Sequence, residues 1–345
     1  VYEVLGTIAA GAAEQGGWGA AGGVARIATG AAVPQAFDAV IAVEQSSVSV
    51  VDGAERVRFE VEEVVAGRNI HRRATDATAG EVLIEAGRRL SVAQVGIACA
   101  VGATELTVTR LPRVTVLTTG DEVCEPGTAT EDLQPQQIRN SNGAMLKAFL
   151  EALGVPVVRH VHVADEPEMT VTAAREALGE SNLVVTVGGV SVGQRDFLPE
   201  AWRTLGLREV VHGVAIQPGK PVLVAQVEGE VEKLVIGLPG NPVSVLVTAH
   251  LFVWPVLRKM LGLGAGLPWR KLRLSEAVKP SERRQMFRAG ELVGDGHEEV
   301  RVLAWHGSGD LVHTAKAQGL VRLPMQGQVM EAGMAVGFLP LVGEV

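Results

Sequence analysis

The sequence predicts an α/β protein built around an open parallel sheet, with a small β module before that sheet and a second β domain after it. Three apolar runs predict the sheet: RVTVLTTGDE (113–122), LVVTVGGVSVGQRDF (183–197) and KLVIGLPGNPVS (233–244). Each is β-branched and uncharged at its centre, as a buried strand is, and each ends in Gly plus polar residues. In open α/β sheets the ligand lies beyond the carboxyl ends of the strands. A βα turn needs Gly, but it does not need Asp121, Glu122, Ser191, Asp196, Asn241 and Ser244 at one edge.

The elements follow in order. Residues 11–77 carry the short β-rich runs VARIATG, DAVIAVEQSSVSVV and RVRFEVEEV between Gly, Pro and Asp, which predicts the β module. LSVAQVGIACAVGA (90–103) has helical apolar spacing, and ELTVTRLP then reads as a short strand. Strict α/β alternation occupies 113–263. Within it SNGAMLKAFLEALG reads as a helix with Ser141 as N-cap and a terminal Gly, and VRHVHVADEP as the next strand. NPVSVLVTAHLFVWPVLRKMLG is helical, with Pro242 in its first turn. GLGAGLPW reads as a linker, and beyond Lys271 the chain returns to short strands and turns up to Val345, a second β domain.

Composition narrows the function classes. The chain has 345 residues, long enough for two to four domains, and its 47% hydrophobic and 20% charged residues suit a globular core. A net charge of −8 argues against nonspecific nucleic-acid or membrane-surface binding, so an anionic ligand must be held locally. Cys99 and Cys124 have no metal-ligand spacing and read as free thiols of a reducing compartment. With no 18-residue apolar run and no signal-peptide pattern, the expectation is a cytoplasmic protein without membrane partners. His212, His250 and His306 show no metal spacing and read as structural.

TTGDE, IRNSNGAML, GGVSVGQRDF, VAIQPGKPVLVA and GLPGNPVS, in this order and spacing, resemble the molybdopterin molybdotransferases, the MoeA family that includes the E domain of gephyrin-like proteins. The resemblance extends upstream through RIATGAAVP and GRNIHRRATDATAG, and weakly downstream through RRQMFRAG and HGSGDL. It implies four domains: an elongated dimerisation domain (1–10 and 78–112), the β module (11–77), a doubly wound α/β pterin-binding domain similar to MoaB and Mog (113–263), and a β-barrel-like domain (264–345). It implies insertion of molybdate into adenylylated molybdopterin, with magnesium-dependent release of AMP. The partners implied are a second copy of the chain, the pterin adenylyltransferase and molybdoenzyme acceptors.

The same resemblance assigns residues. Asp76 and Glu122 match acidic catalytic positions, Asp76 acting in trans, and Asp165 and Asp196 match magnesium ligands. Substrate positions are Thr29, Thr119, Gly120, Asp121, Ser141, Asn142, Gly188, Gly189, Ser191, Gly193, Lys220, Pro221, Asn241 and Ser244; Arg284, Arg288 and Ser308 align loosely. The chemistry is consistent. PGKP puts one ammonium in a stiff loop suited to a tetrahedral dianion, and Ser244 opens a helix aimed at an anion. A carboxylate ~4 Å from a phosphate oxygen is repelled by about 4 kcal/mol at an effective dielectric of 20, which calls for a cation. GGVSVG and TTGDE are expected to hold the adenylylated pterin through N–H groups at helix starts.

Second readings stand beside these. Without the resemblance Asp76 reads first as a turn residue and Asp165 as a helix N-cap; Glu122 has a rival reading as an acidic residue favouring a helix N-terminus, and Lys220 as a solvated turn lysine. The family motif resembling DNSAMDGYA is not in this sequence, and VYEVLGTIAAG looks like the segment that follows it. Gln217 stands where some relatives carry Lys, and Asn140 where Asp is common. A pterin adenylyltransferase-like enzyme and a noncatalytic gephyrin-like scaffold are the competing functions.

Overall fold

The computed structural model describes residues 1–13, 18, 22–190, 196–229, 233–304 and 306–343. It divides into the units Val1–Glu85 and Ala86–Val345. In the first, strands Tyr2–Ile8, Val24–Ile27, Ser46–Val51 and Ala54–Phe59 form one sheet, ordered second, first, fourth, third. Residues 1–10, expected with the dimerisation segment, thus contribute a strand to the module's sheet: Tyr2–Ile8 runs parallel to Val24–Ile27 and antiparallel to Ala54–Phe59. Val57 is the only buried residue on these four strands.

The second unit opens with the helix Val92–Ala100. Ser91 and Gln94 close a reciprocal capping box at its start. Its apolar residues face outward, with Val92 92% and Val95 50% exposed, and only Ala98 is buried. The expected strand at ELTVTRLP does not form; these residues join no sheet, and Leu106, Val108 and Leu111 are exposed. A β-branched run becomes a strand only where a neighbouring edge completes its ladder.

The α/β sheet has six strands, in the order Leu207–His212, Leu223–Val227, Leu234–Leu238, Leu183–Val187, Val114–Thr119, Val157–Val163. The last four are parallel and the first two form an antiparallel extension. The three sequence-predicted strands are therefore adjacent, and their glycine loops leave one sheet edge. Strand Leu183–Val187 is buried throughout, which requires cover on both faces. Leu146, Phe149, Leu150, Val245, Val253 and Leu257 cover one face. Ala174, Ala177, Leu178, Leu198 and Trp202, from helices Pro167–Glu180 and Leu198–Thr204, cover the other. That is the doubly wound arrangement.

Helix Pro242–Thr248 continues through one π-helical turn, Ala249–Val253, into Trp254–Met260. Contrary to the sequence expectation, Pro242–Met260 is by length and composition apolar enough to cross a membrane. His250, Arg258 and Lys259 punctuate the sequence without breaking the helix, and half of the stretch is buried in this unit's core.

The C-terminal strands close on themselves. Gln285–Val293 pairs with Glu299–Val302, then Arg270–Leu274, Ala335–Pro340 and Gly319–Leu323 follow, and the last returns to Gln285–Val293. This is a five-stranded barrel filled by Leu274, Val300, Val321 and Phe338. The short strand Ile216–Gln217 runs parallel to Gln285 and Met286 on its outside. Ile216, Val243 and Val247 share a core with Phe287, Leu320 and Leu339, joining barrel and α/β domain.

Candidate active site

Packing at the sheet edge presses the predicted loops together. The Gly188 N–H donates to the Leu238 carbonyl at 3.1 Å, tying the second loop to the third strand. Gly188 sits at φ +86°, and a Cβ there would lie 2.8 Å from Thr119 Oγ1. A side chain would thus meet both backbone strain and the first loop. Gly189 is buried beside it, whereas Ser191 and Gly193 lie outside the described residues.

Asn140, not Ser141, caps the helix Ser141–Ala152. Its Oδ1 accepts from the Gly143 N–H at 2.9 Å, and its Nδ2 donates to Thr118 Oγ1 at 2.9 Å. Asn is as good an N-cap as Ser, and the choice fell to the residue that also reaches the strand. Ser141 is exposed. Asn142 Nδ2 donates to the Gly240 carbonyl at 2.7 Å, and Asn142 Oδ1 is buried with no hydrogen-bond partner. An orphaned acceptor at a ligand edge is a place for a substrate N–H or O–H.

TTGDE does not open a helix as expected. After Asp121 and Glu122, both exposed, the chain forms the short strand Val123–Cys124 parallel to Ile138–Arg139 and reaches a helix only at Ser141. Glu122 therefore has no helix N-terminus to favour. Asp165 is no N-cap either: Glu166 occupies that position. The Asp165 N–H donates to Asp121 Oδ1 at 3.0 Å. Burial raises the Asp165 carboxyl above its ordinary range, a hydrogen bond from the Asp121 backbone opposes the rise, and the charges of Asp121, Glu122 and Asp196 add to it. Four carboxylates thus crowd one edge. An all-oxygen set under mutual repulsion fits a hard divalent cation such as magnesium.

The second half of the site is a cleft of about 360 Å³ between the α/β domain and the barrel. Lys220 and Pro221 line it from one side, Asn241 and Ser244 from another, and Arg284, Gly307 and Ser308 from the barrel. Strand Ile216–Gln217 fixes the start of the loop, and Pro218 and Gly219 are buried. Gly219 has φ +102°, and a Cβ there would lie 2.4 Å from Thr248 Cγ2. Only Gly lets the backbone lie so close to the helix that carries Ser244. Ser244 is 3% exposed, and the Val243 N–H donates to the Ser308 carbonyl at 3.0 Å. Among the described residues no carboxylate pairs with Lys220 or Arg284. Two open cations and two hydroxyl side chains in one cleft have the chemistry that suits an oxyanion.

Arg284 and Ser308, aligned only loosely from the weak likenesses in RRQMFRAG and HGSGDL, come from the barrel and do line the cleft. Arg288 is elsewhere, its Nη2 donating to the Leu303 carbonyl at 3.0 Å and its pKa lowered by burial. Thr29 and Asp76 belong to the first unit. Thr29 is exposed in a turn, and Asp76, also exposed, receives His71 Nε2 at 2.9 Å. His250 is structural, as expected. His306 departs from expectation, lying with Asp310 and His313 in a cluster whose ligand atoms are all within 4.8 Å of one another.

The sequence of the doubly wound domain places the chain in a molybdopterin-binding class of protein. The profile of the probable molybdopterin binding domain matches residues 115–259, and that of the MoeA N-terminal region (domain I and II) matches residues 3–102. A molybdopterin molybdenumtransferase of Staphylococcus epidermidis is 31% identical over 313 residues, spanning 90% of this chain and 72% of the relative. One from Nostoc sp. is 32% identical over 326 residues, spanning 93% and 72%. The crystal structure of a molybdopterin biosynthesis MoeA protein from Pyrococcus horikosii superposes with a TM-score of 0.77 at 30% identity, covering 98% of this chain and 81% of that one. The chain belongs to the MoeA family of molybdopterin molybdenumtransferases.

Proposed function

We propose that this chain completes molybdenum cofactor by inserting molybdate into molybdopterin. The observation that carries this reading is the cleft where Lys220, Ser244, Arg284 and Ser308 converge. It has the charge and hydroxyl groups to hold a tetrahedral dianion, and it adjoins the loops that suit a pterin. The pterin adenylyltransferase reading accounts for the α/β edge alone and leaves the barrel's contribution to this cleft without a purpose.

In this reading the pterin arrives adenylylated and leaves AMP behind. Asn142, Gly188 and the Thr119–Asp121 loop hold it at the sheet edge. Asp165 and Asp196, with Asp121 beside them, hold magnesium, which would neutralise phosphate charge during anhydride cleavage. Glu122, with Asp76 supplied in trans by a second copy of the chain, positions the attacking group. The working form is a cytoplasmic homodimer; the outward apolar face of helix Val92–Ala100 supports association with a second copy. Incubation with adenylylated molybdopterin, magnesium and molybdate, followed by chromatography of AMP and of the molybdenum product, tests the reading. Product without AMP would overturn the adenylylated substrate, and neither product nor AMP would overturn the enzyme.

A further inference from the structure

Outside this site the barrel carries a compact set of nitrogen and oxygen donors. Asp310 receives His306 Nδ1 on Oδ2 at 2.9 Å and His313 Nδ1 on Oδ1 at 2.8 Å. The two imidazoles lie 4.6 Å apart, centroid to centroid, at 52°, tilted rather than stacked, so each turns a ring nitrogen to the same carboxylate. Asp310 is also held from below: its side chain is only 12% exposed, and its Oδ1 accepts the His313 N–H at 3.2 Å as the cap of the turn Leu311–Thr314. His306 is 64% and His313 41% exposed, leaving the outer side open to solvent.

We propose that His306, Asp310 and His313 form a binding site for a divalent transition metal, separate from the oxygen-only magnesium site. Two imidazoles and one carboxylate suit Zn²⁺ or Co²⁺, whereas Mg²⁺ prefers oxygen donors throughout. Three protein ligands also leave a coordination position for water. The loop from His306 turns back on itself through the Asp310 N–H to Gly307 carbonyl bond, and the helical turn Leu311–Thr314, which Asp310 caps, brings His313 back beside it. His313 also lines a cavity of about 420 Å³ with Lys316, Arg301, Glu276 and Glu291, which gives a bound ion a path to solvent.

The position gives the metal a structural consequence. Gly307 and Ser308, which follow His306, line the oxyanion cleft, and the Asp310 N–H donates to the Gly307 carbonyl at 3.2 Å. Clamping residues on both sides of this pair would hold the cleft's barrel wall in place. The site goes beyond the proposed reaction and stands or falls by metal binding alone.

The test is a Co²⁺ titration of untagged protein in excess Mg²⁺, which fills the carboxylate edge, followed by visible absorption and calorimetry. The result expected is one saturable site with visible absorption bands, displaced by Zn²⁺, and weakened at least 100-fold in His306→Ala and in His313→Ala. His212→Ala, a histidine bonded to Glu209 elsewhere, should bind like the parent. His306 is exposed, so its variant retains the fold, and circular dichroism checks this. No saturable binding, or undiminished binding in both site variants, would overturn the proposal.

Discussion

His250 and Val342, 92 positions apart, are joined by a 3.0 Å hydrogen bond from the Val342 N–H to imidazole Nε2. The other ring nitrogen, Nδ1, donates to the Leu246 carbonyl at 2.7 Å. Both nitrogens are thus used in the neutral tautomer with Nδ1 protonated. Phe149 and Trp254 pack edge-on against the ring at 4.9 and 5.8 Å. The π-helical turn carries this histidine at 1% exposure and pins the chain's end segment to the central helix.

That burial lowers the His250 pKa from 6.5 to about 4, opposed by the Leu246 bond. The unfolded chain therefore binds a proton that the folded protein refuses. Stability supplied by neutral His250 is complete above pH 6.5 and drains away as pH falls toward 4, by about 3 kcal/mol. Denaturant unfolding across this window should show the loss. His250→Phe, unable to protonate, should flatten the profile whatever its absolute stability, and an unchanged slope would assign the acid sensitivity to other groups.

Asn140 should be costly to replace. Asn140→Ala removes the helix cap, leaves the Gly143 N–H without its partner and takes from Thr118 Oγ1 the amide it accepts from, at a residue only 3% exposed. The expected loss is about 1–3 kcal/mol by urea unfolding. Asn140→Asp keeps the cap acceptor but loses the donor to Thr118, so it should fall between the two.

Much of this architecture is legible in the sequence, because a buried parallel strand must be continuously apolar and its loop must turn in a few residues. Those constraints mark Val114–Thr119, Leu183–Val187 and Leu234–Leu238 and place Thr119, Gly188 and Asn241 at one edge. What escapes is tertiary. Arg284 and Ser308 reach the cleft only because the barrel packs on the helix bearing Val243 and Val247. Asn140 displaces Ser141 as cap because Thr118, on another element, offers its side chain a second bond. ELTVTRLP has strand composition without an edge to join.

The carboxylate edge should trade stability for metal binding. Asp165 is held above its ordinary pKa by burial first and by Asp121, Glu122 and Asp196 next, so its ionised form is disfavoured without a cation. Asp165→Asn should then leave metal-free stability unchanged or raise it, by no more than about 0.5 kcal/mol because the group is largely solvent-screened. It should increase the magnesium needed for AMP release by about 10-fold or more. Glu122→Gln should leave that requirement near the parent value and lower turnover about 10²–10⁴-fold. Equal magnesium dependence in parent and Asp165→Asn would remove Asp165 from the metal site.

The two halves of the site should separate by mutation. Lys220 lines the cleft with Arg284, and no carboxylate among the described residues neutralises either. The groups proposed to face the pterin, Asn142 with its orphaned Oδ1 and the Thr119 and Gly188 loops, belong to the sheet edge. A charge-assisted hydrogen bond contributes about 1.5–3 kcal/mol, which is roughly 10- to 100-fold in affinity. Lys220→Ala should therefore raise the molybdate concentration for half-maximal AMP release by that factor and leave adenylylated-pterin binding, measured by calorimetry, within about 2-fold of the parent. Asn142→Ala should do the reverse. Equal loss of both affinities in Lys220→Ala would mean that its ammonium serves the phosphate of the nucleotide rather than the molybdate oxygens.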